Sequence, residues 1–216
     1  KAMKEIDSKK LYSLLYKDFI NKKDDTYNIS CVKHENGYLY ASDAHILAKI
    51  EYDYPDNMEG KAIDVNGNEM KPMVDYNAVI PKKNESDHYL SDEEIGNLRV
   101  AAKKVYRIGK GNFKAVIDLG LPHADKWDGE FMVTFKAAYL NAAFKLFDIL
   151  KDNPKIRVCD SYTPLIIFES EKNDTIVLCM SVLSEADENK RVYPTFTVQE
   201  AIEYIKPNKE TVAWYE

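Results

Sequence analysis

With 216 residues, 45% of them hydrophobic and 31% charged, the chain has the apolar material for a sizeable core and the polarity of a soluble globular protein. A formal net charge of −6 excludes a nucleic-acid binder that is basic over its whole surface, but not one that gathers cations on one face. No apolar run reaches the roughly 18 residues a bilayer span requires and the first residues carry no signal-peptide core, so the expectation is a cytoplasmic protein with no membrane partner.

In chain order, residues 2–7 read as a short strand. Residues 8–21 read as an amphipathic helix, with Leu11, Leu14, Leu15 and Phe19 on one face by three-and-four spacing. Three strands are expected over 27–33, 38–42 and 45–52, with His34-Glu-Asn-Gly37 as a hairpin turn. Residues 61–70 suggest a hairpin around Asn66-Gly67. A polar stretch near 82–87 is the best candidate for a domain boundary. Ser91-Asp-Glu-Glu94 is a capping box that opens a helix to about residue 108, with Ile95, Leu98, Ala102 and Val105 on its apolar face. Residues 112–119 read as a strand.

Residues 130–182 repeat the opening pattern. A strand over 130–135 leads into a helix over 136–151, which carries Leu140, Phe144 and Phe147 on one face and stops at Asn153-Pro154. Strands follow over 155–160, 164–170 and 175–182. Both segments read strand, helix, strand, strand, strand, a repeat of pattern and not of letters. Helices with one apolar stripe between alternating strands predict an α+β fold, antiparallel sheets with helices on one face. A short helix is expected over 197–206.

Residues that could carry chemistry are sparse. Cys31, Cys159 and Cys179 are odd in number, widely spaced and set in apolar runs, as buried reduced thiols would be. Asp43 and His45 sit two apart, where an Asp–His pair could serve a hydrolase or a metal. His34, His88 and His123 supply no second ligand cluster. No phosphate-cradling glycine loop, nucleophile elbow or HExxH occurs, so no cofactor, no metal and no enzymatic activity are expected. Cations do recur on helices: Lys9, Lys10 and Lys17 on the first, Arg99, Lys103 and Arg107 on the second with Lys110 just beyond, and Lys145 on the third. A helical surface offering these to phosphates would bind duplex DNA in a sequence-independent, salt-sensitive way.

Ala41-Ser-Asp-Ala-His-Ile-Leu-Ala48 and Val74-Asp-Tyr-Asn-Ala-Val-Ile-Pro81, in that order, resemble two landmark stretches of the bacterial DNA polymerase III beta subunit, the sliding clamp. Those landmarks read roughly Ala-Thr-Asp-Gly-His-Arg-Leu-Ala and Phe-Pro-Asp-Tyr-x-x-Val-Ile-Pro. Val177-Leu-Cys-Met-Ser-Val182 resembles the family's closing stretch, roughly Tyr-Val-Val-Met-Pro-Met. The resemblance covers about residues 1–182 and looks like the family's second and third domains. It implies a DNA-clamp-like fold of repeated βαβββ units. One clamp-like domain, with an incomplete second unit, would span 1–83 and another 84–182, with a C-terminal extension over 183–216.

The implied function is that of a replication or repair accessory protein, a processivity factor. Short peptides of DNA polymerase or other replication proteins would bind in a hydrophobic cleft, and duplex DNA would run along the basic helical face. Carried over by motif position, the cleft uses Ser42, Ala44, His45, Ile46 and Leu47 from the first stretch. It uses Val74 and Val79 from the second, and Leu178, Met180, Ser181 and Val182 from the third. The chain departs from the family at Ile46 (usually Arg), Ala44 (usually Gly), and Val74 and Ser181 (usually Pro). A homo-oligomeric ring and a monomeric clamp-fold interaction module without encirclement both stay open, and a hydrolase using Asp43 and His45 is the remote third reading. Gln199-Glu-Ala-Ile-Glu-Tyr204 loosely resembles the Gln-x-x-aliphatic-x-aromatic peptides that clamps bind. The tail is therefore expected either to pack as a helix or to dock in the cleft.

Overall fold

A computed structural model of the protein describes residues 6–21, 27–108, 115–120, 131–159, 164–185 and 193–203. Helix α1 (Ser8–Leu14) starts where the Asp7 carboxylate accepts the Lys10 N–H, a side-chain cap that replaces a missing intrahelical acceptor. Asp7 thus opens a helix instead of ending the strand expected over 2–7, whose first residues lie outside the described ones. The helix widens into a π-helical turn over Leu15–Phe19, and all four residues of the expected apolar face are buried.

Strands β1 (Cys31–Glu35) and β2 (Tyr38–Ser42) form a hairpin closed by Asn36 and Gly37, whose φ values of 52° and 80° give the left-handed turn that matches strand twist. β3 (Ile46–Glu51) completes the meander. The hairpin β4 (Ala62–Asp64) and β5 (Glu69–Met70) turns at Gly67, where φ is +87° and only glycine is unstrained. After β6 (His88–Tyr89) comes α2 (Asp92–Ile108). Its capping box is formed, with Ser91 N–H donating to Glu94 Oε2 at 2.7 Å and Glu94 N–H to Ser91 Oγ at 3.3 Å. The second meander runs from β7 (Val116–Asp118) and β8 (Phe131–Lys136) through α3 (Ala137–Leu150) to β9 (Lys155–Cys159), β10 (Leu165–Glu169) and β11 (Ile176–Met180). Lys151 ends α3 in the left-handed region, φ 54°.

One strand was expected over 175–182. It divides at Ser181, whose N–H turns to Pro164 O, and β12 (Val182–Glu185) leaves to pair with β8. The chain then closes with β13 (Thr195–Thr197) and α4 (Val198–Glu203).

The strands make two sheets, ordered β5-β4-β1-β2-β3-β11-β10-β9-β6 and β12-β8-β7-β13. Every pairing in the larger sheet is antiparallel. The two meanders meet at β3 and β11, where Ile46 faces Cys179 and Leu47 faces Leu178. They are thus arranged about the junction by an approximate two-fold. Strands from both sides of the expected boundary between 83 and 84 share one sheet, and one buried cluster takes Leu11, Leu15 and Ile50 together with Phe144, Phe168 and Val177. The junction buries apolar side chains from both meanders at once.

Strand alternation divides the larger sheet into two faces. Leu39, Ala41, Ile46, Ala48, Ile166, Phe168 and Cys179 join the four helices in the inner cluster. Tyr40, Leu47, Ile167 and Leu178 point the other way, into an outer cluster with Tyr76. Helix α3 is buried on nearly every side, including the polar Asn141, because α2 packs over it.

Candidate functional site

The outer face is crossed by a strap. β5 lies at one end of the larger sheet and β6 at the other, so residues 71–87 travel its full width, roughly 38 Å at about 4.8 Å per strand. The strap is tied near its start by Met73 N–H to Tyr27 O at 3.1 Å and Asn28 Nδ2 to Lys71 O at 3.3 Å. In its middle Tyr76 stacks on Tyr40 with centroids 5.4 Å apart, and Tyr40 Oη donates to Asn77 Oδ1 at 3.2 Å.

Between the strap and the β3–β11 junction lies a cavity of about 520 Å³. Ser42, Ala44, His45, Ile46, Leu47, Val74, Val79, Leu178 and Met180 line it. The structure therefore brings together nine of the eleven cleft residues that the three landmark stretches indicate. Ser181 and Val182 do not line it, because the chain switches sheets there. Tyr27, Ile29, Tyr76 and Leu165 line it as well. Tyr76 stood inside the second landmark and was legible. Leu165 enters only because it is the cross-strand partner of Met180, which sequence spacing does not reveal.

Local hydrogen bonding fixes the lip formed by the first landmark. Asp43 Oδ1 accepts the N–H groups of His45 and Ile46 at 2.8 and 2.9 Å, and Ser42 Oγ donates to Ile46 O at 2.9 Å. This turn holds Ala44 at φ +75°, a left-handed conformation that explains why glycine suits the position. Asp43 Oδ2 accepts the hydroxyl of Tyr139 at 2.7 Å, which ties the lip to the first turn of α3. Burial, and next the Asp43 carboxylate, push the Tyr139 hydroxyl pKa up. The His45 ring stacks on Tyr139, 6.5 Å between centroids. Asp43 is therefore a turn-forming residue: its carboxylate accepts two backbone N–H groups and the Tyr139 hydroxyl. Met180 N–H donates to His45 O at 2.8 Å and so joins the third landmark to the first.

The cavity wall is almost wholly apolar, with His45, Ser42 and two tyrosines as its polar points. Val79 is 51% exposed at the rim, and Met180 brings an adaptable thioether. The Tyr76 hydroxyl is buried without a hydrogen-bond partner among the described residues.

Three of the expected cations have partners among the described residues. Lys10 is paired with Asp7 at 3.0 Å. Arg99 bonds Asp148 and lies over the Phe144 ring, and the Lys145 ammonium sits 4.9 Å from the Tyr106 centroid. Lys9, Lys17, Lys103 and Arg107 are exposed, while Lys110 lies outside the described residues. On the polar side of α3, Asn141 is buried, Lys145 is half-buried and Asp148 is exposed, with α2 packed against the helix.

Among the described residues no group of three or more His, Cys, Asp or Glu could hold a metal, and no helix is long and apolar enough to cross a membrane. His123 lies outside the described residues. All three cysteines are buried free thiols. Burial pushes those of Cys31 and Cys159 up to about 11, away from the reactive thiolate. In α4, Ala201 is buried in the inner cluster with Val198 and Ile202 against it. Residues 198–203 thus pack across the sheet from the cavity instead of docking in it, and Tyr204 lies outside the described residues. No protein-family model matches this chain, and no curated protein matches it.

Proposed function

We propose that this chain is a non-enzymatic, sliding-clamp-like accessory protein of DNA replication or repair, which captures short peptides of polymerases or repair proteins in the cleft beneath the strap. The observation that carries this reading is the convergence of three segments far apart in sequence. Nine positions indicated by their resemblance to clamp landmarks line one apolar cavity. The physics suits peptide capture: each aliphatic or aromatic side chain buried there contributes about 1.5–3 kcal/mol before ordering costs, and a flexible methionine adapts the wall to its ligand. The test is fluorescence anisotropy with a labelled Gln-x-x-Leu-x-Phe peptide. Saturable binding that weakens at least tenfold in Val79→Asp is expected; no saturable binding, or binding indifferent to that change, defeats the proposal.

In this reading duplex DNA is met by Lys9, Lys17, Lys103 and Arg107, without sequence preference. A second reading, a monomeric clamp-fold interaction module that encircles nothing, is favoured by two observations. Both ends of the larger sheet carry two-residue strands, β5 and β6, a common device against edge-to-edge pairing. Helix α2 also packs against α3, with Arg99 bonded to Asp148. Light scattering at low and moderate salt, with and without a DNA duplex, separates the two. A constant mass near 24.9 kDa supports the module, and a stable dimer or trimer supports the ring.

A further inference from the structure

The far end of the strap is held by one buried side chain. Arg157, on β9, is 1% exposed, and each nitrogen of its guanidinium donates at least one hydrogen bond. Nε donates to Glu169 Oε1 at 2.8 Å, Nη1 to Asp87 Oδ2 at 2.5 Å and to Cys159 Sγ at 3.0 Å, and Nη2 to Pro81 O at 3.1 Å. Asp87 in turn accepts the Asn84 N–H at 3.0 Å. Two of these partners, Pro81 and Asp87, belong to the strap, and Glu169 and Cys159 belong to the sheet. Pro81 directly follows the Val74–Ile80 run that walls the cavity. The strap is otherwise polar and exposed over 82–86, with little apolar surface to hold it down.

From this geometry we infer that Arg157 is a positioning residue for the cleft: it fastens the strap to β9 and thereby sets the distance between Val79 and the β3–β11 junction. Only a planar fork reaches a carbonyl and two carboxylates at once; a lysine ammonium at the same place keeps the charge but cannot span them. Arg157→Lys therefore releases Pro81 while the sheet stays paired. The inference rests on the peptide-cleft reading for its consequence, but not for its direct test.

The direct test is hydrogen exchange, read by mass spectrometry, on the full chain with no ligand present. In Arg157→Lys, exchange over residues 76–90 should rise at least tenfold while α3 keeps its protection. A general loss of stability would raise both, so the contrast between strap and α3 isolates positioning from folding. If Arg157→Lys does not fold, Asp87→Asn weakens the same anchor more gently and should show the same local pattern. Lys83→Ala is the control. It removes only the outer ion pair to Glu169, whose lysine is 68% exposed, and should leave strap exchange as in the unaltered protein. Unchanged strap exchange in both Arg157→Lys and Asp87→Asn overturns the inference, as does exchange that rises equally in α3. In the peptide assay, Arg157→Lys should weaken binding at least fivefold. If the unaltered protein binds no peptide, the cleft reading fails while the exchange contrast still decides the role of Arg157.

Discussion

The two faces of the larger sheet are covered in different ways. The inner face is closed by four helices, and its cluster is continuous from Leu11 to Ala201. The outer face is covered by a single strap, which leaves a cavity and a buried tyrosine hydroxyl with no hydrogen-bond partner among the described residues. Both faces come from the same strands by simple alternation, so the difference arises from what each face meets. Close packing on the inner face resists change in volume. An outer face held by one strap tolerates change and keeps room for a ligand. Close packing is concentrated on one side and the cavity on the other.

The largest expected effect that would break this contrast lies in the inner core. Phe168 meets Phe144 edge-on at 5.0 Å and Phe147 at 6.3 Å. Phe168→Ala should cost about 3–5 kcal/mol in chemical denaturation, and a cost under about 1 kcal/mol would mean the inner face is not the stability core. On the outer face, Val79→Ala should change stability by less than about 0.5 kcal/mol. A loss comparable to that of Phe168→Ala would show the strap to be core as well. Tyr76→Phe removes a buried hydroxyl that has no partner among the described residues and should stabilise by about 1 kcal/mol, measured by urea denaturation; a loss of stability would reveal a partner for that hydroxyl. Ala44→Gly relieves a left-handed alanine and should gain about 0.5 kcal/mol, an outcome reversed if the lip adopts another turn.

A shallower effect concerns pH. His34 is buried, its Nε2 meeting Tyr12 Oη at 2.8 Å and its Nδ1 facing Lys61 O at 3.0 Å, with Glu59 nearby. Burial holds its pKa below the ordinary value of 6.5. The folded protein therefore binds fewer protons than the unfolded chain, so the contribution is complete above about pH 6.5 and is lost as pH falls below it. Urea midpoints should decline from pH 7.5 to 5, and His34→Gln should flatten that slope. An equal slope in both proteins would assign the dependence to other groups.

Much of this was legible in local chemistry. The capping box at Ser91, the turn at Asn66-Gly67 and the apolar stripe of Leu11, Leu14, Leu15 and Phe19 are signals that short-range geometry decides. The landmark stretches pointed to nine residues of the cavity because each keeps its own turn and alternation wherever it is placed. The break at Ser181 was not legible, since Val177–Val182 reads as one run and only pairing with β8 divides it.

By itself the sequence determined which segments are helix or strand and which side chains on each are apolar, because both follow from dihedral preference and period. Tertiary structure alone decided that the two meanders share one sheet, that residues 71–87 bridge its two ends, and that α2 packs against α3. Those outcomes depend on contacts between residues more than a hundred positions apart, such as Leu47 against Leu178. No local period encodes such contacts. They follow from the drive to bury both apolar faces of the same strands at once.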